Sequence, residues 1–466
     1  MQQNERLGTM PVGPLFRRLA IPMVAARLAA LLYTVVDRAW LGHIPGAGDL
    51  ALTGVGLCIP MAALLQAFAN LVGMGGAPHV SRLLGAGDPK RAEGVVGSCM
   101  TAAVIVSVAL MAVCLIGTDP LLRAFGASDA TLPYARQYLR IYAAGMLFTV
   151  ISLGMNAFIT AQGFARVSML TTVLGAALNL VLDPLFIFGL NMGVRGAALA
   201  TVIAEGAAAV WVLRFLIRSK RAAVRLRLRN MSPDWSLLGP ALALGLSPFI
   251  MEVTESLLSV CFNTSLQRYG GDIAVHSMTI MTTTMLLLTR PLMGLGQGAQ
   301  PIVGFNLGTG DFGRVKQGVR VAILCSFCYA VVFWAFNMLC PAAIPSLFAP
   351  AGPARDHAAW AMRIFLAGGF MMGLQFPCQS LFVSLGEAKR SLFLALLRKV
   401  ILLLPLLYTL PHLFADKVFA VFLTEPLIDV TAACVTVTLF LRTMKRLGRS
   451  MQPPAGGPRF SDQRKG

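Results

Sequence analysis

The sequence predicts an all-α membrane protein with twelve transmembrane helices in two parallel six-helix repeats. Three observations support this prediction. First, 56% of the 466 residues are hydrophobic, only 13% are charged, and the mean hydropathy is +0.72. Second, the chain contains many apolar runs of the roughly 20 residues that a helix needs to cross a bilayer. Third, a glycine-rich segment recurs at a fixed spacing along the chain.

The apolar runs supply the predicted helices. Pro and Gly within several runs are tolerated in membrane helices, because neighbouring helices satisfy the freed backbone groups. The first run is too long for a signal peptide, so we expect it to remain as a helix. The runs lie near residues 15–41, 52–80, 94–117, 134–160, 166–190, 194–217, 238–266, 273–299, 316–340, 358–384, 391–413 and 416–442.

The repeated segment reads LLGAGDPKRAEG at residues 83–94 and NLGTGDFGRVKQG at residues 306–318. It lacks the Walker lysine–hydroxyl pair and a preceding strand, so it is not interpreted as a phosphate-binding loop. We interpret it as a tight turn in a duplicated six-helix unit, whose even helix number gives both copies the same orientation. The matching positions, each shifted by 223, are Gly85, Gly87, Asp88 and Arg91 with Gly308, Gly310, Asp311 and Arg314.

One long basic linker divides the chain. We expect a first lobe at residues 1–215, a cytoplasmic linker at 216–235 and a second lobe at 236–446. The segment 447–466 is rich in Pro, Gly and charge, which predicts a disordered tail.

The net charge of +19 reflects 39 Lys and Arg against 20 Asp and Glu. The basic residues cluster between apolar runs, which argues against nucleic-acid binding. With twelve helices, one side receives 28 of them and the other about 9. The positive-inside rule then places both termini in the cytoplasm and the protein in the cytoplasmic (inner) membrane.

Cysteine and histidine patterns give no sign of an enzyme. The CxxC of Cys325 and Cys328 lies inside an apolar run, so it is interpreted as packing rather than as a zinc or redox site. The five histidines form no HExxH motif, and no Gly-x-Ser-x-Gly elbow is present. The sequence therefore predicts no enzyme activity and no cofactor.

Ionisable residues inside membrane helices are costly, so each is a functional candidate. Asn179 and Asp183 share one helix face, and Pro184 leaves the Leu180 carbonyl without its helical donor. Such oxygens suit a cation such as Na⁺, and a proton could equally reside on the carboxylate. A polar pair that only fixes helix packing is the alternative. The candidates are Arg27, Asp37, Asp183, Glu205, Glu252, Glu255, Arg290, Glu425 and Asp429.

Asp37 ends the first predicted helix, where it is either a buried ligand or a charge at the outer interface. The repeat favours a dedicated site. Asn179 and Asp183 correspond to Leu402 and Leu406, and aligning Pro22 with Pro248 pairs Asp37 with Asn263. Groups that served only the scaffold would be needed in both halves.

Glu252 and Glu255, three residues apart, share a face of the seventh predicted helix. They could bind a cation or a cationic substrate. A structural salt bridge with Arg27 or Arg290 is the alternative.

Two long segments, GLGQGAQPIVGFNLGTGD and LNLVLDPLFIFGLNMGVRGAALATVIA, resemble the multidrug and toxic compound extrusion (MATE) family over roughly residues 10 to 445. The resemblance implies a cation-coupled exporter with no ATP-binding motif. It implies a first-half cation site, for H⁺ or for Na⁺ as the metal ion, at Asp37, Asn179, Asp183 and Thr201. Residues 358–384 contain no acid, whereas one branch of the family carries a helix 10 aspartate.

The predicted function is antiport of small organic compounds, often cationic, by a monomeric protein in the lipid bilayer. The predicted substrate-binding residues are Glu252, Glu255 and Tyr33. A flippase-like exporter of lipid-linked glycans in the same superfamily is the alternative, although such proteins usually carry more helices and a cationic cavity. A receptor or channel is disfavoured by the internal duplication and the one-sided oxygen cluster.

Overall fold

The structure, a computed structural model, describes residues 5–44, 48–348 and 352–451. Over these residues it confirms an all-helical membrane fold with twelve spans. The spans are α1 Val12–Gly42, α2 Gly48–Gly85, α3 Pro89–Ile116, α4 Leu132–Ala161, α5 Ala165–Gly189, α6 Val194–Arg218, α7 235–270, α8 272–308, α9 Phe312–Leu339, α10 Pro353–Phe365 with Gly369–Ser384, α11 Ala388–Leu413 and α12 Lys417–Ser450.

Two of these spans come from one continuous helical element of 74 residues, Trp235–Gly308. At 1.5 Å per residue an unbroken helix of that length would extend about 110 Å, far more than the ~30 Å hydrocarbon core. Gly271 breaks it with φ 63° and ψ −159°. Span α10 is also broken, since its two helices bend by 52°.

The duplicated turn has the same geometry in both copies. Gly87 and Gly310 adopt φ of 78° and 80°, which favour glycine. After each glycine, an aspartate caps the next helix: Asp88 accepts from the Arg91 amide and Asp311 from the Arg314 amide, both at 3.0 Å. The recurrence in sequence therefore corresponds to a repeated helix–turn–helix connection.

We refer to α1–α6 as the first lobe and to α7–α12 as the second lobe. Between them, the segment 219–234 holds the short helix Leu228–Asn230. Helix α12 continues through Ser450, past the predicted start of the tail at 447. The rest of the predicted tail, 452–466, lies outside the described residues.

The lobes meet closely beside the duplicated turns. A side chain at Gly85 would collide with the backbone of Phe305, and one at Gly308 would collide with the backbone of Arg82. Small residues allow membrane helices to approach in this way. These reciprocal contacts between α2 and α8 close the space between the lobes on the side of the turns.

Two π-helical turns lie beside or around buried charged residues. One, Leu185–Gly189, follows Asp183 and Pro184 in α5. The other, Leu397–Leu403, lies within α11 and carries Arg398 and Lys399. Such turns insert into α-helices frequently at functional sites.

Candidate functional site

A cavity of about 500 Å³ lies between the lobes. Its walls come from α1, α2, α4, α5, α6 and α8, so both lobes contribute. The lining is mixed, as expected for a small-molecule site of 300–1,000 Å³. The uncharged polar side chains on its walls include Tyr33, Gln66, Asn70, Asn156, Gln297 and Gln300.

The carboxyl groups of Asp37 and Asp183 lie against each other. Asp37 lines the cavity, whereas Asp183 is fully buried behind it. Asp183 Oδ2 receives no hydrogen bond. Because its neighbour is another carboxyl, a hydrogen bond between the two forms only when a proton is placed between them.

Asn179 connects this acid pair to α6. Its Nδ2 donates to Asp183 Oδ1 at 3.2 Å and to Thr201 Oγ1 at 3.4 Å. Thr201 donates in turn to the Ala197 carbonyl at 3.0 Å. The structure thus brings together the four residues proposed for the cation site. Asn179 serves the carboxylate as a donor, so a Na⁺ ion would need its amide turned to present the oxygen.

This acid pair has no cationic partner at ion-pair distance in the part of the chain that the structure describes. Arg38 influences Asp37 electrostatically, but its own side chain is exposed. Over the same residues, no group of three or more His, Cys, Asp and Glu could hold a metal ion. Two like charges in contact require a proton or a cation between them.

Glu205 is a residue of this site that the predicted set omitted. It lines the cavity and accepts a hydrogen bond from Ser152 Oγ. Tyr33 lies near both Glu205 and Asp37, on the acidic wall of the cavity. The signal was in the sequence: Glu205 is four residues after Thr201, so both share one face of α6.

Glu252, on α7, lies near Arg27 of α1 and Arg290 of α8. Asn70, which lines the cavity, donates to its Oε2 at 3.4 Å. Arg27 and Arg290 both influence its carboxylate electrostatically, but neither approaches within the 4.0 Å of an ion pair. The alternative of a salt bridge with Arg27 or Arg290 is therefore, for Glu252, a looser electrostatic contact.

Glu255 forms its ion pair with Lys399, not with Arg27 or Arg290. The alternative of a salt bridge is thus realised with a different partner. The Glu255 side chain is 70% exposed, although cations of α8 and α11 influence it electrostatically.

Arg398, next to Lys399, is also buried inside the second lobe. The count of 28 basic residues on the cytoplasmic side included both, although the predicted helix at 391–413 contains them; the structure places both inside α11, where they are buried. Arg398 Nη2 donates to Glu425 Oε1 at 2.9 Å and to Asp429 Oδ1 at 2.8 Å. Sequence reasoning missed this partnership, although Glu425 and Asp429 share a face of α12.

Comparison with known proteins gives a consistent result. The sequence profile of the MatE family matches residues 22–185 and 248–409, one segment in each lobe. The multidrug export protein MepA of Staphylococcus aureus is 24% identical over 443 residues, which cover 94% of this chain and 97% of the relative. MepA of Staphylococcus haemolyticus is 24% identical over 400 residues, with 85% and 86% covered.

Solved structures share the fold. A MATE protein crystallised with MaD3S superimposes with a TM-score of 0.89 at 25% identity, covering 95% of this chain and 98% of that one. A MOP superfamily transporter from Pyrococcus furiosus, described as having a binding pocket of reversed polarity, gives 0.88 at 25% identity with the same coverage.

Proposed function

Because this chain belongs to the MatE family, whose members are transporters and not enzymes, we propose that it is a secondary active multidrug exporter. It exchanges small organic compounds for H⁺ or Na⁺ across the membrane. The full-length similarity to proteins called multidrug export protein supports the substrate class. A cavity of about 500 Å³ suits molecules of drug size.

One observation supports cation coupling most directly. Asp37 and Asp183 are in contact, and no described cation neutralises them. A proton or a Na⁺ ion can supply the missing charge, so the pair is proposed to bind the coupling cation with Asn179 and Thr201. Asp37 also lines the cavity, so occupation of the pair acts directly on the substrate space.

The proposed mechanism is alternating access. Cation binding pulls α1, α5 and α6 together, while the substrate contacts both lobes across the cavity. A ligand shifts a conformational equilibrium only by its difference in affinity for the two states. Export therefore follows when the cation and the substrate prefer opposite states. Tyr33, Glu252 and Glu255 are the proposed substrate contacts.

The turns and both termini are proposed to face the cytoplasm, with seven Lys and Arg between Arg214 and Arg229 as the main anchor. Because Arg398 and Lys399 are buried, they no longer count among the basic residues of the cytoplasmic side. That side still carries the larger number of basic residues. The lobes touch beside the turns, so the cavity is then closed toward the cytoplasm. A lipid-linked glycan is less well supported as substrate, since it exceeds a cavity of this size.

The test is dye efflux from proteoliposomes in which Na⁺ and pH gradients are imposed separately. We expect one of the two gradients to drive accumulation of ethidium in inverted vesicles, and its collapse by an ionophore to stop it. Transport that neither gradient drives would overturn the proposal of cation coupling.

Vesicle orientation is controlled in the same experiment. A cysteine introduced at Ser219, with the exposed native Cys325, Cys328, Cys340 and Cys434 changed to serine, is expected to react with an impermeant thiol reagent only in inverted vesicles. Labelling of the right-side-out population would reverse the proposed topology.

A further inference from the structure

Two arginines from opposite lobes line the central cavity. Arg27 comes from α1 and Arg290 from α8. They lie close enough to repel each other electrostatically. A membrane interior strongly disfavours cationic side chains, so two that face one cavity need a reason.

Their protein partners leave positive charge unbalanced. Arg27 Nε donates to the neutral Gln297 Oε1 at 3.3 Å. Within the described residues neither arginine forms an ion pair, and Arg290 makes no hydrogen bond through its side chain. Glu252 is the acid that influences both. Glu255 also influences Arg290 electrostatically, but it is ion-paired with Lys399, so two guanidinium groups face the one unpaired carboxylate of Glu252 and leave a local net charge of about +1.

The remaining charges on the cavity wall lie elsewhere. Asp37 faces Asp183, and Glu205 is held by Ser152. Arg38 lines the cavity beside Asp37. The cavity is therefore divided into an acidic wall in the first lobe and a basic region where Arg27 and Arg290 meet.

Guanidinium groups suit one ligand chemistry in particular. Each presents N–H donors in a planar fork that matches a carboxylate or phosphate. The adjoining walls also offer apolar surface for an organic body, including Met23, Leu31, Met74, Leu153 and Leu286.

We propose that Arg27 and Arg290 bind the anionic group of an amphipathic organic anion, a carboxylate, sulfonate or phosphate on an apolar body, as a transported substrate. This inference rests on the proposed export function and narrows its substrate class. It departs from the expectation that Glu252 selects cations, because the two arginines outnumber that acid.

The position of the pair also gives the anion a role in transport. An anion between Arg27 and Arg290 contacts both lobes and relieves the repulsion between them. Rocking of the lobes changes the separation of the two guanidinium groups, so affinity differs between conformations. That difference is what a transported substrate needs in order to bias the states.

The experiment uses three probes that share a naphthalene ring and differ in charge: 2-naphthoate, its neutral amide, and 2-naphthylmethylammonium. Binding to the purified full-length protein in nanodiscs of neutral lipid is measured by fluorescence, and export by proteoliposome transport. We expect 2-naphthoate to bind at least about tenfold more tightly than the amide, since hydrogen bonds between two charged groups are stronger than those to a neutral acceptor.

Four variants sharpen the test. Arg27→Gln and Arg290→Gln should each weaken the binding of 2-naphthoate by about tenfold and leave the binding of the amide unchanged. Glu252→Gln should act in the opposite direction, strengthening 2-naphthoate and weakening the ammonium probe. Arg268→Gln, at an exposed arginine absent from the cavity wall, is the matched control and should change none of the three.

Equal affinities for 2-naphthoate and its amide would overturn the anion site. So would a loss of 2-naphthoate affinity in Arg268→Gln as large as that in the two cavity variants. If ethidium efflux then still follows an ion gradient, the export function stands without it. Repeating the binding with phosphatidylglycerol identifies the source of the anion. If phosphatidylglycerol competes with 2-naphthoate and this competition disappears in Arg27→Gln, the arginine site is supported and its ligand is a lipid headgroup. If phosphatidylglycerol does not compete, the ligand is a soluble anion.

Discussion

The two lobes use the same scaffold but treat their buried acids differently. In the first lobe, Asp37 and Asp183 press against each other with no cation at ion-pair distance among the described residues. In the second lobe, Arg398 binds both Glu425 and Asp429. Glu255, on α7, is likewise paired, with Lys399.

The comparison shows which lobe can respond to an outside cation. A carboxylate that already has an arginine gains little from a proton or Na⁺, whereas a pair of touching carboxylates gains much. We therefore propose that the first lobe couples to the cation: its two touching carboxylates have no described cation, whereas the two carboxylates of the second-lobe cluster share the guanidinium of Arg398. The duplicated positions agree, because Asn179 and Asp183 correspond to Leu402 and Leu406.

Substitution of the first-lobe pair should have the largest effect. Asp183→Asn keeps the volume and removes the charge that holds a cation, so we expect gradient-driven export to fall to background. Asn179→Leu, which copies the second-lobe residue, should do the same. Transport assays on both purified variants test this.

The control for this pair is Asn337→Leu, a buried asparagine of α9 that bonds to its own helix backbone. It should leave coupling intact. Normal export by both Asp183→Asn and Asn179→Leu would mean that the cluster is scaffold, and that the contrast between the lobes is not functional.

Breaking the second-lobe cluster should lower stability and not specifically coupling. Arg398→Met leaves Glu425 and Asp429, 7% and 0% exposed, without their cation. We expect a loss of about 3–5 kcal/mol in the free energy of unfolding, as for other buried pairs that lose one partner. Thermal unfolding in detergent measures it.

Two comparisons make that test specific. Adding Glu425→Gln and Asp429→Asn to Arg398→Met should restore most of the stability, since no buried charge is then unpaired. Lys399→Met should cost less, because its partner Glu255 is 70% exposed and can be solvated. A triple variant as unstable as Arg398→Met would contradict the explanation that unpaired buried carboxylates cause the loss of stability.

The smallest effect tests where the lobes are alike. Asp88 and Asp311 cap α3 and α9 through the same 3.0 Å hydrogen bond. Replacing either with alanine should cost about 1 kcal/mol of unfolding free energy, and the two losses should match. The controls are Lys90→Ala and Lys316→Ala, at exposed positions in the first turns of the same helices. Each should change the free energy of unfolding by less than about 0.5 kcal/mol. If the two aspartate substitutions cost different amounts of unfolding free energy, the repeats have diverged in their scaffold as well as in their charges.

The helical membrane fold and the duplication can both be predicted from the amino-acid sequence alone. The bilayer thickness sets how many apolar residues a spanning helix needs, so the length of each apolar run predicts a span. The turn is predictable because Gly87 and Gly310 adopt a positive φ, which glycine readily adopts. The site set around Asp183 was also predictable, because Asn179 lies one helical turn away on the same face. The pattern likewise contained Glu205, four residues after Thr201, although only its membrane position was recognised.

The tertiary structure decided which charges meet across helices. Helical periodicity gives the face of a residue but not the helix that it faces, so the sequence did not reveal that Lys399 pairs with Glu255. Arg398 and Lys399 are buried in the π-helical turn of α11, which the count of cytoplasmic basic residues did not anticipate. Arg27 and Arg290 lie 263 positions apart, and only the packing of α1 on α8 brings both to one cavity. Such contacts depend on how whole helices pack, which is a property of the assembled lobes and not of local sequence.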